Sequence, residues 1–356
     1  MHYSLGAYAV KSKVDHPIRL SIVEIARKAG VSSATVSRAF NRPELLKTST
    51  LAHVEKIAGE HGFRPNRVGR SLRQGSTRTL GLLLPTLKNP VFADCFEGAC
   101  RHAQHAGYSV MVATSNYSPR DEMSGLKALI DHQVDGLILT LGATITGPLQ
   151  RLLQDSGVPY ILAYSAIEGV PSVGIDDHRA GQDLIDLLVG LGHRRIAFAS
   201  GPLRSSDRAV RRLLGARQAV QRHGLPELGH LLMREHTHAD ARVVKQALQA
   251  GSPPSALIGS NDMLALSLIA RCRQLGLRVP RDVSVCGVDG ITFGAMSDPP
   301  LTTVVQPGEE IGRSACQSLL MHLREQRGMH STRVAHHISP GGTVRPLSPP
   351  DSRGFP

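Results

Sequence analysis

From Thr79 onward, short runs of Val, Ile and Leu alternate with stretches long enough for a helix, and no other feature limits the fold so strongly. The runs are Leu80 to Leu84, Tyr108 to Ala113, Leu137 to Leu139, Tyr160 to Leu162, Ile196 to Ala199, Leu257 to Ile258 and Val283 to Val285. Strands buried on both faces read as continuous apolar runs, and parallel strands need long crossovers between them. The pattern predicts an α/β body whose parallel sheets are covered on both sides by helices. With 356 residues, 41% of them hydrophobic, the chain has material for more than one core. It contains no run of eighteen apolar residues, so no membrane span is expected.

Ahead of this body the periodicity changes. Ser21 with Glu24 three positions on forms a capping box, and Ile22, Ile25, Ala26 and Ala29 follow at helical spacing. Gly30 can turn left-handed and end that helix, Val31 fills the gap, and Ser32 can cap a second helix. Val36, Ala39 and Phe40 then face a small core. Ser33, Ala34, Ser37 and Arg38 face away, with Thr35 and Asn41 beside them. Small side chains and one Arg can press into a major groove, where Arg reaches guanine acceptors, so the segment reads as a DNA-reading helix-turn-helix. Residues 1–78 hold 14 Lys and Arg against 5 Asp and Glu, a surplus of nine in a chain whose net charge is +12. A basic module on a nearly balanced body is the electrostatic footprint of a nucleic-acid binder.

A third helical stretch from about Thr50 to Glu60 leads into GFRPNRVGRSLR. Together with AGVSSATVSRAFN, TRTLGLLLPTLKNPVFAD, LGHRRIAFASG, SNDMLAL, GLRVPRDVSVCGVDG and PPLTTVVQP, this resembles the lactose-repressor (LacI) family of bacterial transcription factors from Ser21 to about Gly342. The resemblance implies a three-helix head and hinge helix, then a body of two α/β subdomains like periplasmic sugar-binding proteins. The expected divisions are a disordered extension at 1–20, a head at 21–64, and a hinge and linker at 65–78. An effector-binding and dimerisation domain follows at 79–346, with subdomains 79–176 with 307–336 and 178–305 with 337–346, then a flexible tail at 347–356.

In the hinge, Asn66 can cap a helix on which Val68 and Leu72 share one side while Arg67, Arg70 and Arg73 project toward phosphates. So short a helix is unstable alone and should order on DNA. In the family this segment pairs with its dimer mate over the minor groove and wedges a leucine between base pairs; Leu72 stands at the matching position. Gly69 replaces the Ala more usual there, lowering helix propensity by up to about 1 kcal/mol. Leu51 stands where relatives often carry a phosphate-contacting Arg.

Ligands of open α/β sheets sit beyond the carboxyl ends of strands. Asn89, Phe92, Asp176, Asn261, Asp262 and Asp289 occupy such places, although Asp176 and Asp262 serve equally as helix caps or hinge-linking residues. The resemblance implies that Arg212, Asn261, Asp289 and Gln306 hold the effector, with Phe92 and Tyr164 as ring-packing partners. Arg204, Asp207, Arg208, Arg211 and Arg212 form a denser basic group than a neutral sugar requires. LPTLKNPVFAD, VDGLILT and SPGGTV look like gluconate-type repressors, so an anionic sugar, a sugar acid, is the expected effector.

No enzyme, cofactor or metal is expected. GxxxxGK, GxGxxG after a strand and GxSxG are missing, and Cys95, Cys100, His102 and His105 fit no common zinc spacing. His336 and His337, as neighbours on a strand, point to opposite faces. The five cysteines include no CxxC pair and are odd in number, and the first twenty residues lack a continuous apolar region. A cytoplasmic protein without disulfides fits. The tail has no leucine heptads, so a homodimer without a coiled-coil segment is expected. The function implied is a ligand-responsive repressor of carbohydrate or sugar-acid catabolism genes, binding palindromic operator DNA through major and minor grooves. The alternative is a cytoplasmic sugar-binding or sugar-converting protein with a non-functional head.

Overall fold

The structure, a computed structural model, describes residues 20–63, 76–142 and 147–347, in two compact units, Met1–Gly75 and Ser76–Pro356. The hinge residues Asn66, Arg67, Gly69 and Leu72 lie outside the described residues, as does nearly all of the leading extension and of the tail.

In the first unit, α1 (Ile22–Lys28) starts at the expected capping box: Ser21 N donates to Glu24 Oε2 at 2.6 Å, and Glu24 N to Ser21 Oγ at 3.3 Å. Gly30 takes φ +64°, which a side chain would resist, and reverses the chain. Ser32 caps α2 (Ser33–Asn41) by accepting from Thr35 N at 3.1 Å. The third helix, α3, runs Thr48–Glu60, a little longer than the sequence pattern suggested. Ile25, Val36 and Val54 are fully buried where the three helices meet. Leu20, assigned from sequence to the extension, packs on this core, and so does Leu51, which accounts for an apolar residue at that position.

The second unit begins on an anchor. Ser76 Oγ donates to Asp135, whose Oδ1 also accepts from Thr77 N at 2.7 Å and whose Oδ2 accepts from Arg78 N at 2.9 Å, so the end of the expected linker is pinned to the body. The first sheet is built from β1 (Thr79–Leu84), β2 (Ser109–Thr114), β3 (Gly136–Leu139), β4 (Tyr160–Ala163), β5 (Ser172–Gly174) and β11 (Thr332–Arg333) in the order β11-β5-β4-β3-β1-β2, all parallel. The second comprises β6 (Ile196–Ser200), β7 (Gly229–Leu232), β8 (Ala256–Gly259), β9 (Ser284–Asp289), β10 (Thr302–Val305) and β12 (His337–Ser339), ordered β12-β10-β9-β8-β6-β7. Here β12 pairs antiparallel with β10, so this sheet is mixed at one edge.

The chain leaves the first sheet after β5 and returns to it through a long helix, Gly308–Glu325, that packs on Pro90–His105. It crosses again between Arg333 and His337, where His336 meets Asp183 at 3.0 Å. The helices Asp177–Gly190 and Asp207–Arg222 pack on each other in the same way beside the second sheet. Each lobe thus carries one sheet, and the carboxyl ends of both sets of strands border a common cleft.

Candidate functional site

The cleft's inner recess, about 20 Å³, is lined by Asn89, Phe92, Arg212, Asn261, Asp289 and Gln306 along with Tyr117, Arg208 and His236. Each reaches it for a local reason. Asn89 ends the loop after β1 and precedes Pro90 at the start of its helix, while Phe92 lies in that helix's first turn. Asp289 is the last residue of β9, and Gln306 directly follows β10. Arg208 and Arg212 stand one turn apart on Asp207–Arg222, the same inward stripe of the helix.

Asp289 organises the recess. It is 3% exposed, accepts from Asn89 Nδ2 at 2.8 Å and Gln306 Nε2 at 2.6 Å, and lies 3.7 Å from Arg212 Nη1. Burial pushes its carboxyl up from the ordinary range, against the pull of the Arg212 guanidinium. Arg212 donates through Nε to Asp177 at 2.7 Å and through Nη1 to Ser260 O at 2.6 Å. Burial works against its charge, but Asp177 and Asp289 outweigh that and hold the guanidinium above its ordinary value.

Four buried side-chain atoms here have no partner: Asn89 Oδ1, Gln306 Oε1, Arg208 Nη2 and Arg212 Nη2. Among the described residues of the body they are the only ones, and all four side chains line the recess. Orphaned buried polar groups are costly, at about 1–3 kcal/mol each, and call for an explanation. Two acceptors and two charged donors converging on one space suit a molecule that offers both hydroxyls and acceptor oxygens.

Four of the residues singled out from sequence have their polar groups engaged elsewhere. Tyr164 stands behind the recess, its hydroxyl donating to Val91 O at 2.7 Å and its ring edge-on to Phe92 at 5.3 Å. Asn261 lines the recess but has both ends engaged: Oδ1 caps its helix at Leu264 N and Nδ2 donates to His236 O at 2.7 Å. Asp176 caps the next helix at Arg179 N, 3.0 Å. Asp262 turns into the second lobe, accepting from Thr303 Oγ1, Gly290 N and Ile291 N. The arginine cluster divides: Arg208 and Arg212 point inward, Arg211 is half-buried against Ala166 O, and Arg204 is exposed.

Tyr117 and His236 carried no sequence signal, because they sit on loops from opposite lobes. Their rings stack at 3.8 Å with 16° between planes, and they border both the recess and an outer cleft of about 310 Å³. Burial, with the Arg208 guanidinium nearby, lowers His236 to about 4, so the ring stacks uncharged at neutral pH. Tyr117 holds φ +58° next to Asn116 at +47°, two consecutive residues in a region side chains disfavour.

On the head, Ser33, Ala34 and Arg38 are exposed along α2. Thr35 and Ser37 are half-buried, Thr35 within 2.9 Å of Ser32 Oγ and Ser37 accepting from Asn41 Nδ2 at 3.2 Å.

Residues 21–66 match the family model described as bacterial regulatory proteins, lacI family, and residues 185–344 match a periplasmic binding protein-like domain. The repressor CytR of Escherichia coli K12 is 32% identical over 311 residues, 86% of this chain and 90% of that protein. The regulator GntR of the same strain is 28% identical over 325 residues, 90% of this chain and 97% of that one. In fold, the chain is similar to the lac repressor dimer bound to operator and the anti-inducer ONPF, with a TM-score of 0.80 at 24% identity, covering 92% of this chain and 99% of that one. Identity to CytR exceeds that to GntR, so likeness alone does not single out a gluconate-type regulator. With a matched reading head, a matched binding body and a relative at this identity over nearly its whole length, the chain belongs to the lacI family of bacterial regulatory proteins.

Proposed function

We propose that this protein is a ligand-responsive, sequence-specific DNA-binding repressor of carbohydrate or sugar-acid catabolism genes, acting in the cytoplasm as a homodimer on a palindromic operator. Residues 21–64 are the reading head, 65–78 the hinge and linker, and 79–346 the effector body. Ser33, Ala34, Thr35, Ser37, Arg38 and Asn41 form the major-groove face. Asn66, Arg67, Gly69 and Leu72 form the minor-groove segment. The four orphaned polar atoms of the recess carry the effector reading, since a hydroxyl-rich ligand with acceptor oxygens offers partners to all of them. Exposed Phe293 (63%) and Met296 (76%), close together after β9, supply apolar area for a second copy to cover. The ligand acts by binding one arrangement of the lobes and hinge better than the other.

Arg38→Ala is expected to cost about 1–3 kcal/mol on the operator and little on scrambled DNA, as base-edge contacts do. Gel-shift titration on both duplexes checks this, and equal losses on the two contradict a base-reading role. A ligand of sugar size exceeds a recess of about 20 Å³, so entry requires the Tyr117–His236 stack to part and merge it with the outer cleft. Aromatic pairs of this kind contribute about 0.5–1.5 kcal/mol. Tyr117→Ala is therefore expected to speed effector release, measured by stopped-flow displacement; an unchanged rate contradicts the gate.

A further inference from the structure

From sequence Arg208 stands out only as one of a basic group, and in the cleft its guanidinium is firmly held along one edge. It is 4% exposed, and Nη1 donates to Ser165 Oγ at 3.0 Å, Leu141 O at 3.3 Å and Asp207 Oδ1 at 2.9 Å. Ser165 and Leu141 belong to the first lobe, whereas Arg208 and Asp207 belong to the second. Asp207 adds two further links across the cleft, accepting from Ala166 N at 3.0 Å and Ser165 Oγ at 3.3 Å. The Phe92 ring lies 5.9 Å from the guanidinium carbon. One edge of the group is fastened to the first lobe, and the other, Nη2, is buried, lines the recess and has no partner. Arg212, one turn along the same helix, likewise keeps Nη2 free while Nε and Nη1 are held.

We propose that Arg208 selects an effector bearing a carboxylate, its Nη2 and that of Arg212 donating to the two carboxylate oxygens, while its Nη1 ties that contact to lobe closure. This rests on the cleft being the seat of a hydroxyl-rich effector. A planar carboxylate offers the paired acceptors that two guanidinium edges complement. A phosphate dianion is less suited, because Asp177, Asp207 and Asp289 already offset the two arginines and a second added charge would meet buried like charge. Burial pushes the carboxyls of Asp207 and Asp289 up, which eases the admission of one negative charge. Asn89 Oδ1 and Gln306 Oε1 then take the hydroxyls of the carbon chain.

The test is calorimetric titration of the full-length protein with D-gluconate, 2-keto-D-gluconate and D-glucuronate, each against its neutral counterpart D-glucitol, D-fructose or D-glucose. At least one acid is expected to bind more than tenfold tighter than its counterpart. Arg208→Lys keeps the charge but not the two-edged fork, and Arg208→Gln with Asp207→Asn removes the pair without stranding a buried charge. Both are expected to weaken the acid about 10- to 100-fold and leave the neutral ligand within about threefold. Ser165→Ala, which removes the hydroxyl that Arg208 Nη1 and Asp207 share but leaves the guanidinium in place, is expected to weaken the acid more than the neutral ligand, by a smaller factor. Equal losses for acid and neutral ligand, or an acid preference that survives both Arg208 variants, overturn the proposal. If wild type binds no member of either set, the reading of the cleft falls, and this inference with it.

Discussion

Arg212→Ala is expected to cost the body about 3–5 kcal/mol and to abolish the effector response, the largest effect of any single substitution considered. The change strips a buried partner from Asp177 and from Asp289, both almost wholly enclosed, and leaves Ser260 O without its donor. Domains are stable by only about 5–15 kcal/mol in total, so the loss is a large fraction. The deficit should narrow as pH falls. A stranded buried carboxylate has its folded pKa raised above the unfolded value, so its protonated form favours the folded state, and that stabilisation is lost as pH rises. Urea unfolding of the full chain at several pH values checks both statements. Asp177→Asn combined with Arg212→Met separates structure from ligand. Removing that pair should restore part of the stability, with Asp289 still lacking its guanidinium, but none of the response. A stable Arg212→Ala protein, or a double variant that still responds, contradicts the assignment.

Gly215→Ala is the second large effect. A Cβ there would lie 1.9 Å from His178 O on the facing helix, and one at Gly181 would lie 2.0 Å from Arg212 O. The two helices touch backbone to backbone and must separate by an ångström or more to admit a methyl group, since real Cβ contacts almost never fall under 3.0 Å. Overpacking of this kind costs about 1–3 kcal/mol, occasionally more. The shift also moves Arg208 and Arg212 away from Asp177 and the recess, so stability and effector affinity should fall together. Gly190→Ala, where a Cβ meets nothing within 4 Å, is the control and should be close to neutral. The first lobe repeats the device: a Cβ at Gly98 would lie 2.1 Å from Glu309 O and one at Gly312 1.9 Å from Cys95 O. This repetition indicates that each lobe contains one pair of helices packed at backbone contact distance.

What could be read from the sequence was what local chemistry decides. The Ser21–Glu24 capping box, the Gly30 reversal and the Ser32 cap depend on residues three positions apart or fewer, and they form as the residue types require. Central strands such as Thr79–Leu84 announce themselves because burial on both faces demands an unbroken apolar run. Three of the four edge strands give no such signal: Thr332–Arg333 and His337–Ser339 are short and partly exposed, and Gly229–Leu232 begins with Gly and His. The recess follows the same division. Phe92, Arg212, Asn261, Asp289 and Gln306 meet there because strand ends of both sheets converge on the cleft. The inward turn of Arg208, by contrast, depends on Ser165 and Leu141, more than forty residues away. A count of arginines also leaves out Asp177, the carboxylate that matches Arg212 and meets it only once the helices are packed. Tyr164 illustrates the converse, an aromatic at a plausible position whose hydroxyl is taken by Val91 O behind the site.

The most direct measurement is selection of bound duplexes from a random pool by the full-length protein, followed by titration of the selected complex with the sugars and sugar acids named above. Convergence on a palindrome, with affinity changed at least tenfold by one of those ligands, is the expected result. Retention without convergence, or a palindrome bound equally tightly whatever ligand is present, contradicts a reading head governed by the cleft.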